Sequence, residues 1–224
     1  MKYKKFIPWI PSVVTAVLAV ITCILYTVWG ARRGAMGYFQ LFGCMLVPAL
    51  FPLYGLIFKK PLPTVMSAVV AVQVVFANFM GTILDFYIKI PWWDLFMHGS
   101  FGFVGGVLAY GLLVRWNGEK LNKFGFYFLI LCFVLCLGVL WEIFEYVTDG
   151  IFPQNDAQVT KGLEGRAAVA DTMEDLMISV AGVAVFYLCA AVDYIAGTRV
   201  LKKSLVDTQK PKEEISADAQ AQQS

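Results

Sequence analysis

Six apolar stretches dominate the chain, at about residues 9–30, 38–58, 64–87, 95–115, 124–146 and 175–196. A bilayer core requires roughly 20 mostly apolar residues per helix, and each stretch is about that long. Lipid offers no partner for backbone N–H and C=O groups, so a span must satisfy them internally, and a helix does. The pattern predicts an all-α polytopic membrane bundle of six transmembrane helices, forming a single domain over 1–198. Residues 199–224 are rich in Gln, Ala, Ser, Lys and Glu and read as a disordered tail. Composition agrees. Hydrophobic residues make up 59% and charged residues 15%, whereas soluble domains hold about 45–50% and about 25%. Pro48 and Pro52 fall inside the second stretch. They predict a kink whose freed carbonyls must be satisfied by packing.

The charges lie between the stretches and set the topology. Thirteen of the 18 Lys and Arg fall at the amino end, in the 59–60 and 115–123 connections, or in the tail. The other connections hold Arg32, Arg33, Lys89, Lys161 and Arg166. By the positive-inside rule both termini are cytoplasmic. Trp9 and Trp116 then fall near inner ends, and Trp29, Trp92, Trp93 and Trp141 near outer ends, as an aromatic belt requires. The first stretch follows Lys2, Lys4 and Lys5, as a signal peptide would. Its apolar run exceeds the usual ~7–15 residues, so it reads as an uncleaved anchor. All five cysteines lie within apolar stretches, which argues against a disulfide framework. Cys132 and Cys136 have no histidine near them and read as small buried hydrophobes. No basic patch with interleaved aromatics points to nucleic acid. No internal repeat suggests the inverted halves of many transporters.

The acids converge. Asp85 lies near the outer end of the third span, and Asp94 and His98, the only histidine, open the fourth. Glu142 and Glu145, in WEIFEY, close the fifth; Asp171, Glu174 and Asp175, in DTMED, open the sixth. Four helices thus bring acids to one depth on one side. Asp94 and His98 are four apart, as are Asp171 and Asp175, and Glu142 and Glu145 are three apart, so each pair shares a helical face. Asn78 is seven before Asp85, two turns below it on the same side. Ionisable groups at this depth are costly unless they pair, bind an ion or line a wet cavity. A cluster of like charges further requires cations or shared protons.

A bound divalent metal is the simplest relief. The expected ligands are Asp94, His98, Glu142, Asp171 and Asp175, with Asp85, Asn78 and Glu174 in support. Glu145 and His98 are the expected catalytic groups, Glu145 as general base. An oxygen-rich set with one imidazole suits Mg²⁺ or Mn²⁺ first, and Zn²⁺ or Fe²⁺ next. A structural ionic network closing the bundle, or a proton or ion path, would place the same residues there. Beyond His98 its face continues through Gly102, Gly105 or Gly106, and Ala109, a stripe that reads as close helix packing. The connection 147–174 is 28 residues long and carries Asp149, Asp156, Glu164, Arg166 and three glycines. It reads as an outer loop forming a lid, with Asp149 and Arg166 bordering the acids. Asp193 and Arg199 read as an interfacial pair at the inner end of the last span.

Asp94 to His98, WEIFE at 141–145 and DTMED at 171–175, in this order, resemble the YjdF-like inner-membrane proteins of bacteria. More distantly they resemble VanZ-like membrane proteins. The resemblance covers about residues 75–185 and implies a multi-pass protein of the bacterial inner membrane, without implying a reaction. Ser179 stands where VanZ-like proteins usually carry Asn, whereas Gly182 matches their small residue. The absence of a histidine near Asn78 leaves fewer nitrogen ligands and favours magnesium over a transition metal.

The functional expectation is a metal-dependent hydrolase or transferase in contact with membrane lipid. It would act at the outer leaflet on a lipid-linked or phosphate-bearing envelope substrate. Two alternatives stand beside it. A carrier for a cation or cationic solute would continue its site toward midplane through Asn78 and Gln73. A non-catalytic envelope factor would show its acids fully paired.

Overall fold

The computed structural model describes residues 6–29, 34–116, 118–151 and 165–205; these form helices, with no strand among them. A short 3-10 turn leads into α1 (Ile10–Val28). α2 (Gly34–Leu46) and α3 (Leu50–Phe58) build the second span, and α4 (Thr64–Val75) with a π-helical stretch (Phe76–Ile83) builds the third. α5 (Phe86–Lys89) is a single turn. Then come α6 (Trp93–Arg115), α7 (Lys123–Ile151), α8 (Arg166–Ile195) and the short α9 (Val200–Leu205). Six helical segments are long and apolar enough to cross a membrane, as the hydropathy pattern predicts.

The second span bends where its prolines fall. A 3-10 turn at Val47–Ala49 separates α2 from α3, and Ser67 Oγ of α4 donates a hydrogen bond of 2.9 Å to the Pro48 carbonyl. A neighbouring helix thus satisfies a carbonyl freed by the kink. Lys59, in the left-handed region at φ 54°, ends α3 ahead of Pro61 and Pro63.

The third span departs from expectation. It winds as a π-helix from Phe76 and stops at Ile83, short of the expected residue 87. The wider winding and early stop break the seven-residue alignment of Asn78 with Asp85. Asp85 takes a left-handed backbone (φ 58°) and pairs with Lys89 at 3.7 Å.

The 147–174 loop is also corrected. α7 has 29 residues and α8 has 30. At 1.5 Å rise per residue each is about 45 Å long, some 15 Å more than a typical hydrocarbon core. They are level at one end, where Lys123 Nζ lies 5.9 Å from the Tyr194 ring centroid. Asp149, Arg166, Asp171 and Glu174 fall at the other end, which marks it as the projecting one, and residues 147–151 and 166–174 are helical. Asp149 and Arg166 stand on these projections, not on a loop. Asp156, Gly162 and Glu164 of the expected lid lie outside the described residues.

α6 and α8 form the most extensive pair in the bundle, and the small-residue stripe explains it. A Cβ at Gly102 would lie 2.0 Å from the Ser179 carbonyl oxygen, and one at Gly182 would lie 2.0 Å from the Gly99 carbonyl oxygen. Only glycine lets the two backbones touch here. Gly105 and Gly106 of the same stripe face Val134 of α7 and Phe186 of α8. Below this contact Met66, Val107, Ile130, Val134, Val183 and Phe186 fill the core.

The chain beyond α8 is not all tail. Six residues of the segment expected to be disordered form α9, whose Leu205 is fully buried against the core. Asp193, expected to pair with Arg199, instead caps this helix. Its carboxylate accepts hydrogen bonds from the backbone N–H groups of Val200 (2.8 Å) and Leu201 (3.2 Å) and from the Thr198 hydroxyl. Residues 206–224 lie outside the described residues.

Candidate functional site

Three helices meet around one nitrogen. His98 Nε2 lies 3.8 Å from Asp94 Oδ1, 3.8 Å from Asp175 Oδ2 and 3.9 Å from Glu142 Oε1. Asp94 and His98 come from successive turns of α6, Asp175 from α8 and Glu142 from α7. His98, Glu142 and Asp175 are buried, and Asp94 is half-buried. The carboxylates face the imidazole just beyond hydrogen-bonding distance. Ligand atoms of Asp94, His98 and Asp175 all lie within 4.8 Å of one another. Such separations suit a shared ion, since metal–ligand bonds of about 2.1 Å place two ligands about 3.0 Å apart in cis and about 4.2 Å apart in trans.

The packing below holds this set in register. Ser179 Oγ donates toward the Asp175 carbonyl (2.8 Å) and the His98 carbonyl (3.2 Å), spanning α8 and α6. The Gly102 and Gly182 contacts lie within one or two turns of the imidazole. The spacing of His98 from Asp175 is thus fixed by touching main chains as well as by side-chain rotamers.

Glu145 borders the group one turn beyond Glu142. It lies within electrostatic reach of Glu142, Asp94 and Asp175, and accepts a 2.8 Å hydrogen bond from Trp141 Nε1. Sequence reading assigned Trp141 only to the interfacial belt. Its spacing of four from Glu145 was the available signal for this second role. Ser179 carried the same signal toward Asp175, four residues before it, but its bond to the His98 carbonyl depends on how α6 and α8 are paired.

The other expected residues divide. Asp171 sits half-buried one turn before Asp175 on the same face of α8, outside the tight set of three. Glu174 is exposed, because a one-residue offset from Asp175 turns it away from the buried face. Asp85 is drawn off to Lys89. Asn78 is buried, and its amide donates to the Val74 carbonyl of its own helix at 2.9 Å. Asp149 is half-buried near the end of α7, and Arg166 is exposed at the start of α8.

A cavity of about 390 Å³ lies between α4 and α6, lined by Val69, Gln73, Phe76, Phe96, Ser100 and Phe103 among others. Gln73 bridges the helices, donating to the Met97 carbonyl (3.1 Å) and accepting from Ser100 Oγ (3.0 Å). Phe96, Ser100 and Phe103 form a different face of α6 from Asp94, His98 and Gly102. The cavity and the acidic group are therefore separate features.

Comparison with known proteins now adds the family. Over 129 residues the chain is 31% identical to an uncharacterised protein of Thermotoga maritima, a match covering 58% of this chain and 63% of that protein. The chain thus matches less than two thirds of that relative's length. No solved structure matches it. A family model described as a predicted membrane protein, DUF2238, matches residues 10–195, which takes in all six spans and the whole His98 group. This multi-pass membrane protein therefore belongs to the DUF2238 family.

Proposed function

We propose that the protein is a metal-dependent hydrolase or transferase whose ion is held by Asp94, His98, Asp175 and Glu142. The observation that carries the reading is the meeting of three carboxylates around one buried imidazole nitrogen at 3.8–3.9 Å. Leaving these charges together in a bundle without a cation would be costly. One nitrogen among oxygens favours Mg²⁺ or Mn²⁺, with Zn²⁺ and Fe²⁺ as weaker fits. Asp171 and Asp149, on the projecting helices, extend the acidic surface toward water.

The ion would polarise a phosphoryl or acyl oxygen of the substrate. Glu145 accepts the proton from an attacking water or hydroxyl, with Trp141 fixing its carboxylate. The nucleophile bonds to the substrate centre as the leaving oxygen departs. The reactants are a lipid-linked or phosphate-bearing envelope molecule, because the site lies near the end of the spans. The Lys and Arg distribution supports an outward-facing site, and the motifs shared with YjdF-like and, more loosely, VanZ-like proteins support the bacterial inner membrane. The carrier reading draws less support: Gln73 and Asn78, its route toward midplane, are engaged in helix hydrogen bonds.

The test is metal analysis of the purified full-length protein after incubation with excess Mn²⁺ and removal of free ion. Wild type should retain one ion per chain, and His98→Ala, Glu142→Gln and Asp175→Asn should each lose it. Thermal unfolding of each variant controls for folding. A well-folded wild type that retains no ion from Mg²⁺, Mn²⁺, Zn²⁺ or Fe²⁺ would refute the reading.

A further inference from the structure

The end of the bundle away from His98 collects cations. Lys59 and Lys60 follow α3, Lys123 opens α7, Arg199 precedes α9, and Lys202 and Lys203 lie on it; all six are exposed. Asp193, at the end of α8, caps α9 and lies within electrostatic reach of Lys203. Contacts place these elements in one layer. Leu205 of α9 joins Met66 of α4 and Phe126 of α7 in the core. A Cβ at Gly111, near the end of α6, would lie 3.4 Å from Met66 and 3.7 Å from Leu205. Lys123 stands over the Tyr194 ring at the end of α8.

α9 is anchored to this layer at both ends. Six residues do not hold a helix on their own. The Asp193 carboxylate fixes its start and the buried Leu205 fixes its end, which leaves Lys202 and Lys203 pointing away from the core. Around it Trp116, Phe124 and Tyr194 are 65%, 79% and 78% exposed. Large exposed aromatics mixed with lysines, directly after apolar spans, match the chemistry of the lipid headgroup layer.

We propose that this end binds anionic phospholipid headgroups, with α9 as an interfacial helix that holds Lys202 and Lys203 among the phosphates. A merely solvated face would not need a helix of six residues anchored at both ends. The surface is independent of the His98 group, and the proposal holds whichever leaflet it meets.

The test uses full-length protein reconstituted in vesicles of equal phosphatidylglycerol and phosphatidylcholine, re-extracted, with its retained lipids counted by native mass spectrometry. Wild type should prefer phosphatidylglycerol by roughly tenfold, and the preference should fall at high salt. The variant Lys59→Gln/Lys60→Gln/Lys202→Gln/Lys203→Gln should drop to about twofold or less with an unchanged melting temperature. If it fails to fold, Lys202→Gln/Lys203→Gln alone should reduce the preference. Asp193→Ala, which frees α9 but removes no cation, should weaken it in part. Equal retention of both lipids by wild type would overturn the proposal, as would a salt-insensitive preference. A folded lysine variant that keeps the wild-type ratio would also overturn it.

Discussion

Replacing Gly102 by Ala tests whether α6 and α8 hold the site by touching backbones. The added Cβ would stand 2.0 Å from the Ser179 carbonyl oxygen, with the Ser179 carbonyl carbon at 2.9 Å and its Cα at 3.0 Å. All three are main-chain atoms, so no rotamer change relieves the clash. Close C–H···O contacts settle at about 3.3–3.6 Å, so the helices must part by about 1.3 Å. Overpacking of this kind costs about 1–3 kcal/mol. The same movement draws Asp175 from its 3.8 Å approach to His98 Nε2 and weakens ion retention. Gly43→Ala in α2 is the matched control, because a Cβ there meets nothing within 4 Å. On helix propensity alone that change is neutral or stabilising by up to about 1 kcal/mol. Denaturant unfolding in bicelles, with Mn²⁺ retention measured on the same samples, reads both effects. Equal stability and equal retention in the two variants would refute the close-packing account.

Other perturbations follow from single contacts. Trp141→Phe keeps the ring but removes the donor to Glu145, at a cost of about 1 kcal/mol; a double-mutant cycle with Glu145→Gln should show the two changes to be non-additive. Ser67→Ala leaves the Pro48 carbonyl without its cross-helix donor and should cost about 1–3 kcal/mol in unfolding measurements. Asp193→Ala should release α9, seen as faster amide exchange at Val200 and Leu201 with exchange in α6 unchanged.

Much of this was legible in the residues. Hydropathy located all six spans because a bilayer imposes a length and an apolar surface on each. Four helices were expected to bring acids together; those of three do meet at His98, at Asp94, Glu142 and Asp175, whereas Asp85 of the third span pairs with Lys89 instead. The glycine stripe on α6 packs as read. Other features lay beyond periodic reading. The ends of α7 and α8 carry Asp149, Arg166, Asp171 and Glu174, so their polarity looked like loop although their backbones are helical. The π winding from Phe76 altered the register that would have aligned Asp85 with Asn78. The capping role of Asp193 depends on a chain reversal through Gly197 at φ 68° and Arg199 at φ 52°, which brings residues seven and eight positions away back to its carboxylate.

The central claim is that Asp94, His98, Glu142 and Asp175 hold one ion. Pulsed electron paramagnetic resonance on the Mn²⁺-loaded protein reads the ligand directly. The account predicts modulation from one directly bound imidazole nitrogen, as befits the chain's single histidine, and its loss in a folded His98→Gln variant. Bound Mn²⁺ showing no nitrogen coupling, or a coupling that survives the substitution, would contradict it.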